Sequence, residues 1–402
     1  MQPLTAPGRT QAARGRWIWI LSGTLTIATI GAFSGWAIVR AERAPGFPQS
    51  VTFIPGRAIT VTQPVTALNV QSYGAPIKVT AAAGGPVRIT ESITFDSGDG
   101  GPPAVTHTDS HGLLTLAAPA CVNYGCSVAF SVTVPSGVSV TAAADGGAVT
   151  VVGTGAADID SGGGPVYAAD ISGPLTVTAE GGGVTVNNAA GADLDSGGGP
   201  VTATGITGKL TVHADGGGVT VSRAPAAAID SGGGPVYAAG IGGPLTVTAE
   251  GGGVTVSGAG ATEIDSGGGP VTATTIRGAL GVTAEGGGVQ VDGVTGTLSA
   301  DTGGGPLSAT SLTSPSVAVH GEGGGVTLGF TTAPTSVRVD TGGGDASLSV
   351  PGGPYAVTDD GGPTGMEKGP PQSGSVLIAT SPGAARSISV TTDGGNLEIG
   401  PA

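Results

Sequence analysis

The sequence predicts an all-β protein: a parallel β-solenoid (β-helix) preceded by one N-terminal transmembrane helix. Three observations predict it. A 27-residue stretch from Asp160 to Val186 recurs from Asp230 to Val256, with only Asp170 changed to Gly240 and Ser172 to Gly242. Half-period copies begin at Asp195 and Asp265. Gly-rich corners start at Gly146, Gly162, Gly181, Gly197, Gly216, Gly232, Gly251, Gly267, Gly286, Gly303, Gly323 and Gly342, so a short step and a long step alternate at first. That is a 35-residue unit made of two 16–20-residue half-repeats. Finally, one 23-residue stretch near the N-terminus, 17–39, carries no charge.

The solenoid follows from the first two observations, because internal repetition with short β-patterned segments marks a stack of like coils. Between corners the residues alternate by twos. In 175–180 Leu175, Val177 and Ala179 share one side, and Thr176, Thr178 and Glu180 the other. In 192–196 the apolar set is expected to be offset by one residue, with the carboxylates still outward. A tight corner needs φ > 0 or a close chain approach that a Cβ would obstruct. Both accounts cover the triplets Gly162, Gly163, Gly164 and Gly181, Gly182, Gly183 and their equivalents, and Gly163 is expected at positive φ. Gly makes up 79 of 402 residues, yet a disordered linker would not keep period two with a β-branched inner side. Whether one coil is a half-unit or the whole unit stays open at this level, with the narrow interior favouring the half-unit.

In chain order, residues 1–16 are polar and carry Arg9, Arg14 and Arg16. They are expected as a cytoplasmic tail. The stretch 17–39 opens on Trp17, ends on Val39 and holds Trp19 and Trp36 near its ends. At about 1.5 Å per residue it is long enough to cross a bilayer as a helix, and interfacial Trp fits the aromatic belt. No clean cleavage site follows, so it is expected to act as a signal anchor with the N-terminus inside and the remainder extracellular. Residues 40–58 hold Pro45, Pro48 and Pro55 and are expected as a stalk. The interval 59–140 is less repetitive and richer in bulky residues (Phe95, Tyr124, Phe130), which predicts a β-rich capping domain over the first coil. The repetitive solenoid is expected over 141–350, and an irregular Pro/Gly segment with C-terminal capping coils over 351–402. The two cysteines, Cys121 and Cys126, enclose four residues; in an exported domain they predict a short-loop disulfide rather than a metal site.

The charge excludes some partners. The chain carries 14 Lys+Arg against 28 Asp+Glu, a net charge of −14. Residues 44–402 hold 9 of the bases and 27 of the acids. Such a surface argues against nucleic acid and anionic lipid as partners. Partners are therefore expected to be the membrane, through 17–39, and a cell-wall or surface glycan or protein. No cofactor and no metal is expected.

Candidate chemistry is sparse. His213 and His320 replace outward residues on repeat strands and are expected to be solvated. His107, Asp109 and His111 are expected in a polar turn. Glycan-cleaving β-helix enzymes need paired, tuned carboxylates with basic or aromatic residues to hold sugar, whereas the outward acids here have Thr, Ser and Gly neighbours. Asp160, Asp195, Asp230, Asp265, Asp301 and Asp340 precede successive Ser/Thr-Gly-Gly-Gly corners and suggest calcium, which wants six to eight oxygens. The carboxylates also resist edge-to-edge association, and that is the preferred reading. The pairs Thr202/Thr204, Thr246/Thr248 and Thr272/Thr274 are outward Thr-x-Thr steps of the kind flat ice-binding solenoids use, interrupted in equivalent rows by Tyr167 and Tyr237.

The strands of 59–140, the cysteine pair followed by Val132-Thr133-Val134-Pro135-Ser136-Gly137-Val138, and the recurrent acid-plus-glycine corners together resemble the domain-of-unknown-function 4097 family, over roughly 59–400. Its β-strand-repeat members are common in actinobacteria and are classed as candidate adhesins. The resemblance implies a bacterial cell-surface, adhesin-like structural or binding module without catalysis. Family corners often read Gly-Ser-Gly-Asp; here they read Gly-Gly-Gly followed mostly by Pro or Val, which removes an acid from each. The competing expectations are an envelope stress or signalling accessory and a polysaccharide-active β-helix enzyme.

Overall fold

The computed structural model describes residues 51–96, 101–120, 126–359, 375–376 and 378–402. The expected tail (1–16), membrane span (17–39), the stalk up to residue 50, and Cys121 lie outside the described residues. Cys126 is disulfide-bonded. Among the described residues every regular element is a β-strand, and residues 139–350 form a parallel solenoid of about 12 turns.

Each coil is a half-unit. Val166 stacks on Val184, Val184 on Val201 and Val201 on Val219, so every step along the stack advances the chain by one half-repeat. A coil holds two strands, so the solenoid is two facing parallel sheets. One sheet, here called the first, contains Ala157–Ser161, Lys209–Ala214, Ala226–Ser231 and Leu245–Ala249; the second contains Val201–Ile206, Val219–Ala224, Val236–Ile241 and Val254–Ser257. The long strands Val166–Ala179 and Val184–Ser196 run through a corner and serve both sheets.

The interior explains why two unlike half-units alternate. Counted outward from the corner that joins the two strands of one coil, buried Ile229 of the first sheet matches buried Ala238 of the second, and Ala227 matches Ile241. By the same count in the next coil, Val247 matches Val256, and Leu245 matches Ala259, all four buried. Large meets small, or medium meets medium, so each coil fills the same volume at interior packing density. The apolar sets are not offset by one residue: Leu175 pairs with Ala192, Val177 with Leu194 and Ala179 with Ser196. What shifts is the glycine triplet. Because Glu180 follows Ala179 while Gly197 follows Ser196, the middle glycine of one corner stacks against the last glycine of the next.

That shift produces one continuous column: Gly147, Gly164, Gly182, Gly199, Gly217, Gly234, Gly252, Gly269, Gly287, Gly305, Gly324, Gly344 and Gly395. A Cβ on any of them after Gly147 would overlap the carbonyl of the preceding member. Close chain approach is therefore the physical requirement at these corners, and the positive φ expected at Gly163 is not found. Gly163 lies outside the left-handed region, and a Cβ there would meet Gly146 Cα at an ordinary 3.7 Å. Within the repeats positive φ recurs at the opposite corner instead, in a column through Gly153, Asp170, Asn188, Gly205, Arg223, Gly240, Gly258, Thr275, Gly293 and Ser311, with φ between 54° and 76°, while at the glycine corners it is found toward the two ends of the stack, at Gly146 and Gly394. Asp170 and Gly240 differ between the near-identical repeats because both residue types tolerate this conformation. Of the corner residues before Gly-Gly-Gly, Ser161, Ser196, Ser231 and Ser266 are buried. Each donates its hydroxyl to the carbonyl three residues on, Ser161 to Gly164 at 2.7 Å and Ser196 to Gly199 at 2.8 Å.

Both ends of the stack are threaded out of sequence order. β1 (Val51–Val61) pairs antiparallel with β4 (Val87–Asp96), which continues antiparallel onto β7 (Ser127–Pro135). β5 (Thr106–Ser110) forms an antiparallel hairpin with β6 (Leu113–Ala117). β2 (Ala67–Tyr73) and β3 (Ile77–Ala82) form a coil lying between β6 with β7 and β8 (Ser139–Asp145) with β9 (Val149–Val152). The interval 59–140 thus supplies coils as well as the antiparallel cover. At the other end the last strands of the chain, Ser387–Thr392 and Leu397–Pro401, lie between Ser336–Thr341 with Ala346–Val350 and the outermost pair Ala356–Asp359 with Ser375–Val376. A strand bonded on both edges opens less readily than a terminal one, which protects the C-terminal strands Ser387–Thr392 and Leu397–Pro401.

Candidate functional site: two unlike faces

The outward residues of the two sheets differ in charge. On the first sheet, paired register gives a column Asp160, Thr178, Asp195, His213, Asp230, Thr248, Asp265, Thr283, Asp301, His320 and Asp340. Beside it run Asp158, Thr176, Asp193, Thr211, Ala228, Thr246 and Glu263. Carboxylates fall on alternate coils. With coils roughly 4.8 Å apart, they are spaced by about 9.6 Å along the column. Stacked on successive coils, each pair would repel by roughly 1 kcal/mol even at the dielectric constant of water; at the observed spacing physiological salt screens most of that. The calcium expectation meets the same geometry. Oxygens must lie about 2.3–2.6 Å from the ion, and column neighbours two coils apart do not converge. Among the described residues no group of three or more His, Cys, Asp or Glu is disposed to hold a metal ion.

His213 and His320 take positions between carboxylates that Thr fills elsewhere. His213 Nδ1 lies 3.2 Å from Asp230 Oδ2 and its Nε2 3.2 Å from Asp215 Oδ1; His320 Nδ1 lies 3.5 Å from Asp340 Oδ2. Both are solvent-exposed. His107 does not sit in a polar turn with Asp109 and His111: it lies in β5, and its Nε2 bonds Glu91 Oε1. Glu91 is only 3% exposed, a carboxylate on β4 in the inward phase of Val87, Ile89 and Ile93, and that break in the apolar alternation is the signal that could have found it. The contact ties the β5–β6 hairpin to the antiparallel cover.

The outward side of the second sheet is a different surface. One column reads Thr150, Tyr167, Thr185, Thr202, Thr220, Tyr237, Thr255 and Thr272. The adjacent one reads Val152, Ala169, Asn187, Thr204, Ser222, Ala239, Ser257 and Thr274. Eight successive coils present no charge in either column, a run of roughly 34 Å at β spacing. Asp292 is the next outward acid. Two of the hydroxyls bond each other along the stack, Thr204 and Ser222 at 3.0 Å. Tyr167 and Tyr237 stand 41% and 51% exposed, in the same column and four coils apart. The Thr-x-Thr pairs therefore belong to different surfaces: Thr202/Thr204 and Thr272/Thr274 lie on this neutral face, and Thr246/Thr248 on the acidic one.

No family model matches the chain, and no curated protein matches it. Among solved structures, a protein of Parabacteroides distasonis described as a "putative adhesin" is 12% identical, with 87% of this chain and 98% of that one covered at a TM-score of 0.23. A "putative cell adhesion protein" of Clostridium sporogenes is 7% identical, with 88% and 100% covered at a TM-score of 0.16. Likenesses at these scores add nothing to the argument, which rests on the faces themselves.

Proposed function

We propose that this chain is a bacterial cell-surface β-solenoid, held at the membrane through 17–39, that serves as a non-catalytic, adhesin-like structural or binding module. The observation that carries this reading is the segregation of charge between the two sheets. Solubility needs carboxylates but does not need them confined to one face. Keeping the two central columns of eight coils free of charge, with exposed Asp170 and Arg223 only at the corner beside them, in a chain of net charge −14, leaves a long, regular strip on which a partner meets little electrostatic barrier. The stacked coils make a stiff spacer of roughly 50 Å over 12 turns, suited to holding that surface away from a bilayer. The resemblance of the corner and strand motifs to the 4097 family supports the same assignment.

The test has two parts. A reporter fused after Ala402 is expected to be active only outside the cytoplasm, and the protein to stay with membranes through a carbonate wash. Cells displaying the full chain are expected to adhere to cell-wall or glycan-coated surfaces better than cells lacking it. Release into the medium as a shortened chain would overturn the anchor, and equal adhesion would overturn the binding role.

A further inference from the structure

We propose that the uncharged two-column strip of the second sheet, between Thr150 and Thr274 and bordered at its corner by Asp170 and Arg223, binds a neutral, linear glycan laid along the solenoid axis, with Tyr167 and Tyr237 as its two stacking platforms. This deepens the adhesin-like reading and rests on it.

Three features select this occupant. The first is chemical: a neutral sugar chain offers alternating hydroxyls and apolar C–H faces. The columns Thr185, Thr202, Thr220 and Asn187, Thr204, Ser222 offer donors and acceptors without charge. Exposed tyrosine rings offer the flat apolar surface with a polar rim that stacking on a pyranose requires. The second is geometric. The tyrosines lie in one column, four coils and roughly 19 Å apart, with hydroxyl residues at all three intervening positions. A ligand touching both must run along the axis, parallel to the rows of Thr, and the rise per sugar of a β-1,4-linked chain is close to the rise per coil. The third is electrostatic. The carboxylates of the first sheet, Asp160 to Asp340, face away on the opposite side, so the chain's negative charge does not oppose a neutral ligand here. An acidic glycan would still meet the long-range field of the net charge. An ice lattice would need a flat row, and the two protruding rings break it.

The experiment uses the full chain in detergent and measures binding of cellohexaose and chitohexaose by calorimetry, with hexagalacturonate as the acidic comparison. At least one neutral hexasaccharide is expected to bind, and hexagalacturonate to bind at least tenfold more weakly. Tyr167→Ala with Tyr237→Ala is expected to reduce neutral binding at least tenfold. Both rings are exposed, so an unchanged circular dichroism spectrum and melting profile are expected. Thr202→Val, midway between the rings and equal in shape, is expected to weaken binding several-fold, whereas Asp195→Asn with Asp230→Asn on the other sheet is expected to leave it unchanged. No binding of either neutral probe, or binding indifferent to the tyrosines, overturns the proposal. The adhesin-like reading is judged separately by adhesion of cells displaying the same variants. If the tyrosine variant still adheres as the wild type does, the binding role stands and this face is not its site; if even the wild type fails to adhere, both fall.

Discussion

Gly217 and Gly216 are chain neighbours in one corner, and neither has a left-handed φ, yet they are expected to respond oppositely to alanine. A Cβ on Gly217 would overlap the carbonyl oxygen of Gly199 in the coil below and crowd Pro200 N at 2.7 Å. A Cβ on Gly216 would meet nothing closer than Gly197 O at 3.5 Å. The clash at 217 is with backbone on one side and a packed core on the other, so no side chain can swing away. Relief requires the two coils to part at the corner. That strains the bonds flanking it, Asp215 N to Ser196 O at 3.0 Å and Val201 N to Gly218 O at 2.9 Å. Loss of two such bonds costs about 1 kcal/mol each, and overpacking adds about 1–3 kcal/mol. Gly217→Ala should therefore destabilise its coil by roughly 3 kcal/mol or more, a fall of about a hundredfold in local amide protection. Gly216→Ala removes freedom from the unfolded chain at little native cost and should be neutral or stabilising by up to about 1 kcal/mol. Because coils contact only their neighbours, the loss should be confined to the coils around 199–234 and absent near Gly305. Hydrogen exchange with mass mapping reads both quantities. Equal protection in the two variants, or uniform loss along the whole chain in Gly217→Ala, would refute the stacking argument.

Other consequences follow from the same geometry. Ile229→Val should cost about 0.5–1.5 kcal/mol by leaving a void, and Ala238→Val about 1–3 kcal/mol by overfilling. The double variant reproduces the Val247–Val256 pairing of the next coil and should be close to wild type, so a thermal-melt double-mutant cycle should show coupling above about 1 kcal/mol. Thr275 is a β-branched residue at φ 57°, and Thr275→Gly should stabilise its coil by about 1 kcal/mol in the same assay. His107→Ala leaves Glu91 buried without its partner, and the Thr106–Ser110 hairpin should become the first site of limited proteolysis. Burial pushes the Tyr355 phenol above its ordinary value, against an opposing pull from Arg386. The unfolded chain ionises there first, so C-terminal coil stability should begin to fall above about pH 10, as read by exchange-protected amides near Ser387–Thr392.

The all-β solenoid and its half-unit spacing were legible because stacking repeats the same demands on every coil, and repeated demands leave repeated residues. The corner glycines were legible as a class but not individually. Gly163 and Gly164 look alike in a triplet, and only the register between successive coils shows that Gly164 opposes a carbonyl and Gly163 does not. The opposite corner was missed because its left-handed column tolerates Gly, Asp, Asn, Arg, Thr and Ser in turn and so leaves no motif. The two faces were hidden for a related reason. Outward Thr-x-Thr and Asp-x-Asp steps alternate along the chain, and which of them share a sheet depends on each half-repeat closing a full coil with two strands, not one. Out-of-order threading at both ends was beyond pattern reading, since strand pairing across an insertion is set by which coil edge is left open, not by local sequence.

The 35-residue period then has one physical explanation in three places. A parallel stack of identical coils would put identical residues about 4.8 Å apart in every column. For carboxylates that means repulsion along the whole acidic face; for the core it would stack Ile on Ile opposite Ala on Ala. Two alternating coil types solve both at once. Asp160 sits above Thr178 and below Ala143, and Ile229 sits between Val212 and Val247. The corner follows suit, with buried Ser231 between Ala214 and Ala249, so that one hydroxyl serves each second corner. The uncharged face obeys a longer rhythm, because its tyrosines recur only after two full units, at 167 and 237. Neither charge spacing nor core volume requires that recurrence, and the glycan proposed above, spanning four coils, is the requirement from outside the fold that the Tyr167 and Tyr237 variants test.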